Sequence, residues 1–87
     1  MLMSRAEALV KNGDFASARL LLRRAADAGS ASAALMLGAT FDPRMIHELG
    51  PMGIEPDIAQ ARQWYEKAAE LGSDVAAQRL TRLTQDQ

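Results

Sequence analysis

Asp57-Ile58-Ala59-Gln60-Ala61-Arg62-Gln63-Trp64-Tyr65-Glu66-Lys67-Ala68-Ala69-Glu70-Leu71-Gly72-Ser73 is the stretch that decides the fold. Ile58, Ala61, Tyr65, Ala68 and Ala69 recur at the spacing of one helix face. Gly72 then predicts a left-handed cap at the helix C-terminus, where a side chain would be strained. Ser73 predicts the N-cap of a following helix, which carries Ala76, Leu80 and Leu83 along one stripe. Helix, Gly-Ser turn, helix is therefore the local unit.

The unit occurs twice. Shifted by 43 residues, Asp14 to Leu37 falls on Asp57 to Leu80 with 11 of 24 positions identical, which marks an internal duplication. The identities include Asp14/Asp57, Arg19/Arg62, Gly29/Gly72, Ser30/Ser73 and Leu37/Leu80. Phe15/Ile58, Leu22/Tyr65 and Asp27/Glu70 are similar in kind. Upstream, Leu2 to Lys11 supplies a leading helix that ends at Asn12-Gly13. The predicted order is helix 2–11, helix 14–28, helix 31–40, an irregular segment 41–56, helix 57–71 and helix 74–84. Short turns force neighbouring helices antiparallel, and a tandem array of such hairpins is an α-solenoid. The expected fold is all-α: a single repeat domain over 1–87, with unit one at 1–29, unit two at 30–72 and a closing helix at 74–84.

Composition agrees with closely packed helices. The chain has 17 alanines and 11 leucines against three isoleucines and two valines, so strand-favouring residues are scarce. Ten basic and 11 acidic residues leave a net charge of −1, without the basic footprint of a nucleic-acid binder. No cysteine is present, which excludes disulfides, thiolate zinc sites and a cysteine nucleophile. No apolar run approaches the ~20 residues that span a bilayer. The opening residues carry a helical pattern rather than the apolar core of a signal peptide. A cytoplasmic, soluble chain is the default expectation, open if the sequence was cut from a longer protein.

These residues resemble a known family. The run from Asp57 through Trp64-Tyr65 and Lys67-Ala68-Ala69 to Gly72 is similar to the second helix of a Sel-one-like repeat, a relative of the tetratricopeptide repeat. Leu37-Gly38-Ala39-Thr40-Phe41 is similar to the family's first helix, and Gly53-Ile54 to its loop. The period of 43 exceeds the family's usual one of about 36 because of extra residues between Phe41 and Gly53. The first copy, with Leu9 to Phe15 in a short turn, is closer to an ordinary tetratricopeptide hairpin. The resemblance implies a protein-binding scaffold or adaptor, often part of a larger bacterial protein. It implies no enzyme activity and no cofactor. The alternative expectation is a structural domain that self-associates, as a homo-oligomer, or caps a longer chain.

The candidate sites follow from this frame. Asp42 as N-cap, Pro43 in the first turn and Gly50 beyond the last predict one short helix in the insertion 42–50. Its Met45, Ile46 and Leu49 either plug the groove between hairpins or contact a partner. His47 is the only histidine and, with scattered methionines, falls short of a metal-ligand motif. A surface role suits it better. Trp64 stands at the edge of the apolar stripe, where partial exposure would make it a partner contact. Arg19 and Arg23 form a solvated face or an anchor for acidic side chains. The acidic pairs Asp42/Glu48 and Glu66/Glu70 fit solvated faces better than a catalytic dyad. Gly50-Pro51-Met52-Gly53 lacks the Lys-Ser/Thr and the preceding strand of a phosphate loop. No catalytic or metal-binding residue is expected. Trp64, Met45, His47, Arg19 and Arg23 are the possible contacts with a protein or peptide partner.

Overall fold

The computed structural model describes residues 2–50 and 53–85. Pro51 and Met52 of the glycine-rich stretch lie outside the described residues. Among the described residues six helices follow in order: α1 Leu2–Lys11, α2 Phe15–Asp27, α3 Ala31–Ala39, α4 Pro43–Leu49, α5 Ile58–Glu70 and α6 Asp74–Gln85. No strand occurs among the described residues. The fold is all-α, as the helical spacing and the alanine content predict.

The turns explain the hairpins. Gly29 donates to the Ala26 carbonyl and Ser30 to the Ala25 carbonyl, both at 3.0 Å. These are the two crossed bonds that close a helix C-terminus when the residue after the cap turns left-handed. The same Ser30 accepts from the Ala33 N–H at 3.1 Å and so opens α3. Gly72 and Ser73 repeat the device: Gly72 donates to Ala69, Ser73 donates to Ala68, and the Ser73 hydroxyl accepts from Ala76. One residue finishes one helix and starts the next, which leaves room only for a sharp reversal.

Gly29 has φ +101° and Gly72 φ +107°, and an added Cβ at either would meet nothing within 4 Å. The cost of a side chain there is therefore backbone strain alone. Gly29→Val and Gly72→Val are each expected to lower stability by about 1–2 kcal/mol, a fall of several degrees in Tm in thermal circular dichroism. An unchanged Tm would contradict the cap role.

Each helix packs on the next of the array: α1 on α2, α2 on α3, α3 on α5, α5 on α6. The result is a slab of 31 × 29 × 16 Å. The core is built of alanine and a few large side chains. Ala18, Leu22 and Ala26 of α2, Ala33, Ala34 and Leu37 of α3, and Ala61, Tyr65 and Ala68 of α5 are all fully buried. Small side chains let the axes approach, and at Gly38 the backbone of α3 lies directly against the Tyr65 ring. A Cβ there would lie 2.6 Å from Tyr65 Cδ1. The Gly38 that the sequence placed in the Leu-Gly-x-x-aromatic pattern is thus the seat of the Tyr65 ring.

Between α3 and α5 the chain makes an excursion. The Asp57 N–H donates to the Phe41 carbonyl at 2.8 Å, so the two ends of 42–56 are held together. The inserted residues leave and rejoin the array at one point, and the α3–α5 packing is undisturbed. Within the excursion, α4 begins at Pro43 behind the Asp42 cap and is closed by Gly50 at φ +84°.

Candidate partner-binding groove

Four helices line an apolar cavity of about 250 Å³. Glu7 and Val10 come from α1, Ser32, Leu35, Met36 and Ala39 from α3, Met45 and Leu49 from α4, and Arg79 from α6. A second cavity, of about 400 Å³, adjoins it and is lined by Met45, Glu48, Val75, Gln78, Arg79 and Arg82. Met45 and Arg79 belong to both. The inserted helix is therefore a wall of the groove: Ile46 is buried beneath it, while Met45 is half-buried and Leu49 is 40% exposed. Half-exposed aliphatic side chains around an open cavity are the surface on which association releases most water.

The position of that wall is set by Asp42. One carboxylate oxygen accepts from the Arg44 N–H at 3.0 Å and caps α4; the other accepts from the Tyr65 hydroxyl at 2.7 Å. Asp42 is 4% exposed and Tyr65 fully buried, so α4 is tied to α5 by a hydrogen bond shielded from water. Asp42 was expected as a cap and, with Glu48, as part of a solvated acidic face. The structure corrects the second expectation: Asp42 is inside and Glu48 is outside.

Burial and the bond to Asp42 push the Tyr65 hydroxyl above its ordinary range, against a smaller opposing effect of Arg79. A raised folded-state pKa makes stability full below the unfolded value, about 10, and lost as pH rises through the folded one. Tyr65 is the only tyrosine, so its ionisation can be followed directly by absorbance near 295 nm. The native protein should show no tyrosinate until well above pH 10, with its appearance coinciding with loss of helical signal. In denaturant it should titrate near 10. Titration near 10 in the folded protein would remove the buried bond.

The sequence-derived candidates divide. Met45 lies in the groove. His47 is exposed on α4, and no group of three metal-ligating side chains occurs among the described residues. Arg19 is not a solvated side chain. It donates from Nε to the Thr40 hydroxyl at 3.1 Å and from Nη2 to the Thr40 carbonyl, with its guanidinium 3.8 Å from the Phe41 ring centroid. A cation on the last carbonyls of α3 is favourably placed against the helix dipole. Burial lowers its pKa, with Asp57 opposing and Arg23 adding to the shift. Arg23 is exposed and lies over the Trp64 ring, 5.9 Å from its centroid.

Trp64 departs from expectation. The stripe-edge position predicts partial exposure, yet the side chain is only 9% exposed and its buried indole N–H meets no acceptor. Arg23 of α2 lies over the ring, a neighbour that the position within α5 alone does not reveal. Leu20, by contrast, is 68% exposed on α2 and lies outside the groove.

Arg79, Arg82 and Glu7 were missed. A signal for the first two was present: the 43-residue shift puts Arg79 on Met36 and Arg82 on Ala39, so α6 replaces two apolar groove positions of α3 with guanidinium groups.

No helix among the described residues is long and apolar enough to cross a membrane. No curated protein and no solved structure shows a significant match to the chain. Family comparison matches the Sel1 repeat twice in tandem, at residues 7–30 and 31–73. The second match takes in α3 and the inserted α4, which are two of the four groove walls, and α5, to which α4 is tied. Such repeats are helical solenoid units that generally serve as non-catalytic protein-interaction modules. The chain belongs to the Sel1 repeat family.

Proposed function

We propose that the chain is a scaffold or adaptor module that holds a segment of another protein in the groove between α1, α3, α4 and α6. The observation that carries this reading is the apolar cavity of about 250 Å³ whose wall is the inserted helix. An insertion that only filled space would bury its apolar side chains, and here Leu49 remains 40% exposed beside Met45. Concave surfaces of helical arrays suit such binding because the helices fix side chains in advance and little ordering is needed on association. Met45 is the contact retained from the sequence. Arg23 and Trp64 line neither cavity, nor does Leu20, whose exposed side chain on α2 is the surface that self-association would use instead.

The test is site-specific photocrosslinking. A benzophenone side chain at Leu35, in the groove, is compared with one at Gln63, exposed on α5. The expected result is one crosslinked partner from Leu35 and none from Gln63. Crosslinks only between copies of the chain, with a dimer in sedimentation, would favour the self-associating reading. Equal crosslinking from both positions would remove the groove from consideration.

A further inference from the structure

We infer that the segment received by the groove pairs an apolar side chain with a neighbouring carboxylate, the apolar group entering the cavity beside Met36 and Met45 and the carboxylate meeting Arg79 and Arg82. This rests on the reading of the groove as the binding face and specifies the chemistry of what it binds.

Three observations carry it. First, the groove is asymmetric. Where α3 presents Met36 and Ala39, the duplicated positions on α6 are Arg79 and Arg82, so one wall is apolar and the other cationic. Second, the polar cavity on the α6 side carries two arginines against the single carboxylate of Glu48, a local excess of one positive charge. A segment bringing a carboxylate there meets complementary charge, whereas a basic segment meets repulsion. Third, the two guanidinium groups are steered by weak acceptors. Arg79 lies over the Tyr65 ring at 5.8 Å, and Arg82 points an N–H at Met45 Sδ, 3.9 Å away. Neither is neutralised by an ion pair among the described residues. A single tyrosine, met at its ring and hydroxyl, and a thioether orient these guanidinium groups while leaving N–H groups for the paired N–H···O bonds that carboxylates satisfy best. Glu7, on the α1 wall, disfavours acid at that end and so gives the bound segment a direction.

The test is selection of random dodecapeptides displayed on phage against the whole chain, followed by fluorescence anisotropy of the enriched peptides. The expected winners carry Leu, Ile, Met or Phe beside Asp or Glu. Arg82→Glu alone should weaken them about tenfold, Arg79→Glu with Arg82→Glu by more, and selection on the double variant should turn towards Lys and Arg. Circular dichroism confirms that each variant is folded, and Arg82→Glu serves if loss of the Arg79–Tyr65 contact unfolds the double variant. Winners without acidic residues, or acidic winners unaffected by either variant, would overturn the inference, as would failure to enrich any peptide. Peptides that lose binding on Met45→Asp but keep it on Arg82→Glu leave the groove as the binding face and overturn only its acidic preference. Peptides insensitive to all three substitutions overturn the groove as well.

Discussion

A chain ending at Gly72 should not fold cooperatively. Without α6 the outer face of α5 loses its cover, and Ala76 and Leu83, both buried, are gone. Burying one leucine side chain is worth about 2–3 kcal/mol, before the newly exposed face of α5 is counted. A domain of this size has only about 4–13 kcal/mol in total. In an array each unit is stable only against its neighbour, so loss of the last helix is felt by the unit before it. The expected result is a broad, shallow thermal transition with much reduced helical signal. A sharp transition with helicity retained per residue would show that α6 is dispensable.

The Gly38–Tyr65 contact should show a reversal of sign. In the native background Gly38→Ala is destabilising by about 1–3 kcal/mol, because the new Cβ meets the root of a fully buried ring at 2.6 Å. With Tyr65→Leu, which installs the residue that Leu22 provides in the first copy, the ring is absent. Gly38→Ala should then be neutral or stabilising by up to about 1 kcal/mol, the helix-propensity gain of alanine over glycine. Denaturant unfolding of the four proteins measures this as a double-mutant cycle. Tyr65→Ala alone should cost about 3–5 kcal/mol and bring the domain close to unfolding at room temperature. An equal cost of Gly38→Ala in both backgrounds would refute the packing described for α3 and α5.

The helices were legible because their signals are local. Gly29-Ser30 and Gly72-Ser73 announce a C-cap followed by an N-cap, and Asp42, Pro43 and Gly50 frame α4 in the same way. The stripe of apolar residues in each copy then says which faces meet. What stayed hidden depends on which helix lies alongside. Arg19 and Arg62 are identical by the duplication, yet Arg19 is anchored on Thr40 and Phe41 while Arg62 is exposed. The 43-residue shift turns Thr40 and Phe41 into Leu83 and Thr84, which offer neither the same hydroxyl nor a ring. Trp64 is buried by the packed array, with Arg23 of α2 over its ring, which the stripe within α5 does not show. Asp42 was readable as a cap from Pro43, but its bond to Tyr65 joins residues 23 apart and has no sequence signature. The groove was anticipated only in outline. Its walls required the fold, although the change from Met36 and Ala39 to Arg79 and Arg82 was visible as a break in the duplication.

The central claim is that a partner segment occupies the face built by α1, α3, α4 and α6. Two-dimensional NMR of the chain labelled with ¹³C at methionine and leucine methyls tests it most directly, on titration with an enriched peptide or the crosslinked partner. The account predicts that Met36 and Met45 shift or broaden at substoichiometric addition, with Leu35 and Leu49, while Leu20 on α2 is unmoved. Shifts centred on Leu20 with Met36 and Met45 unchanged would contradict it.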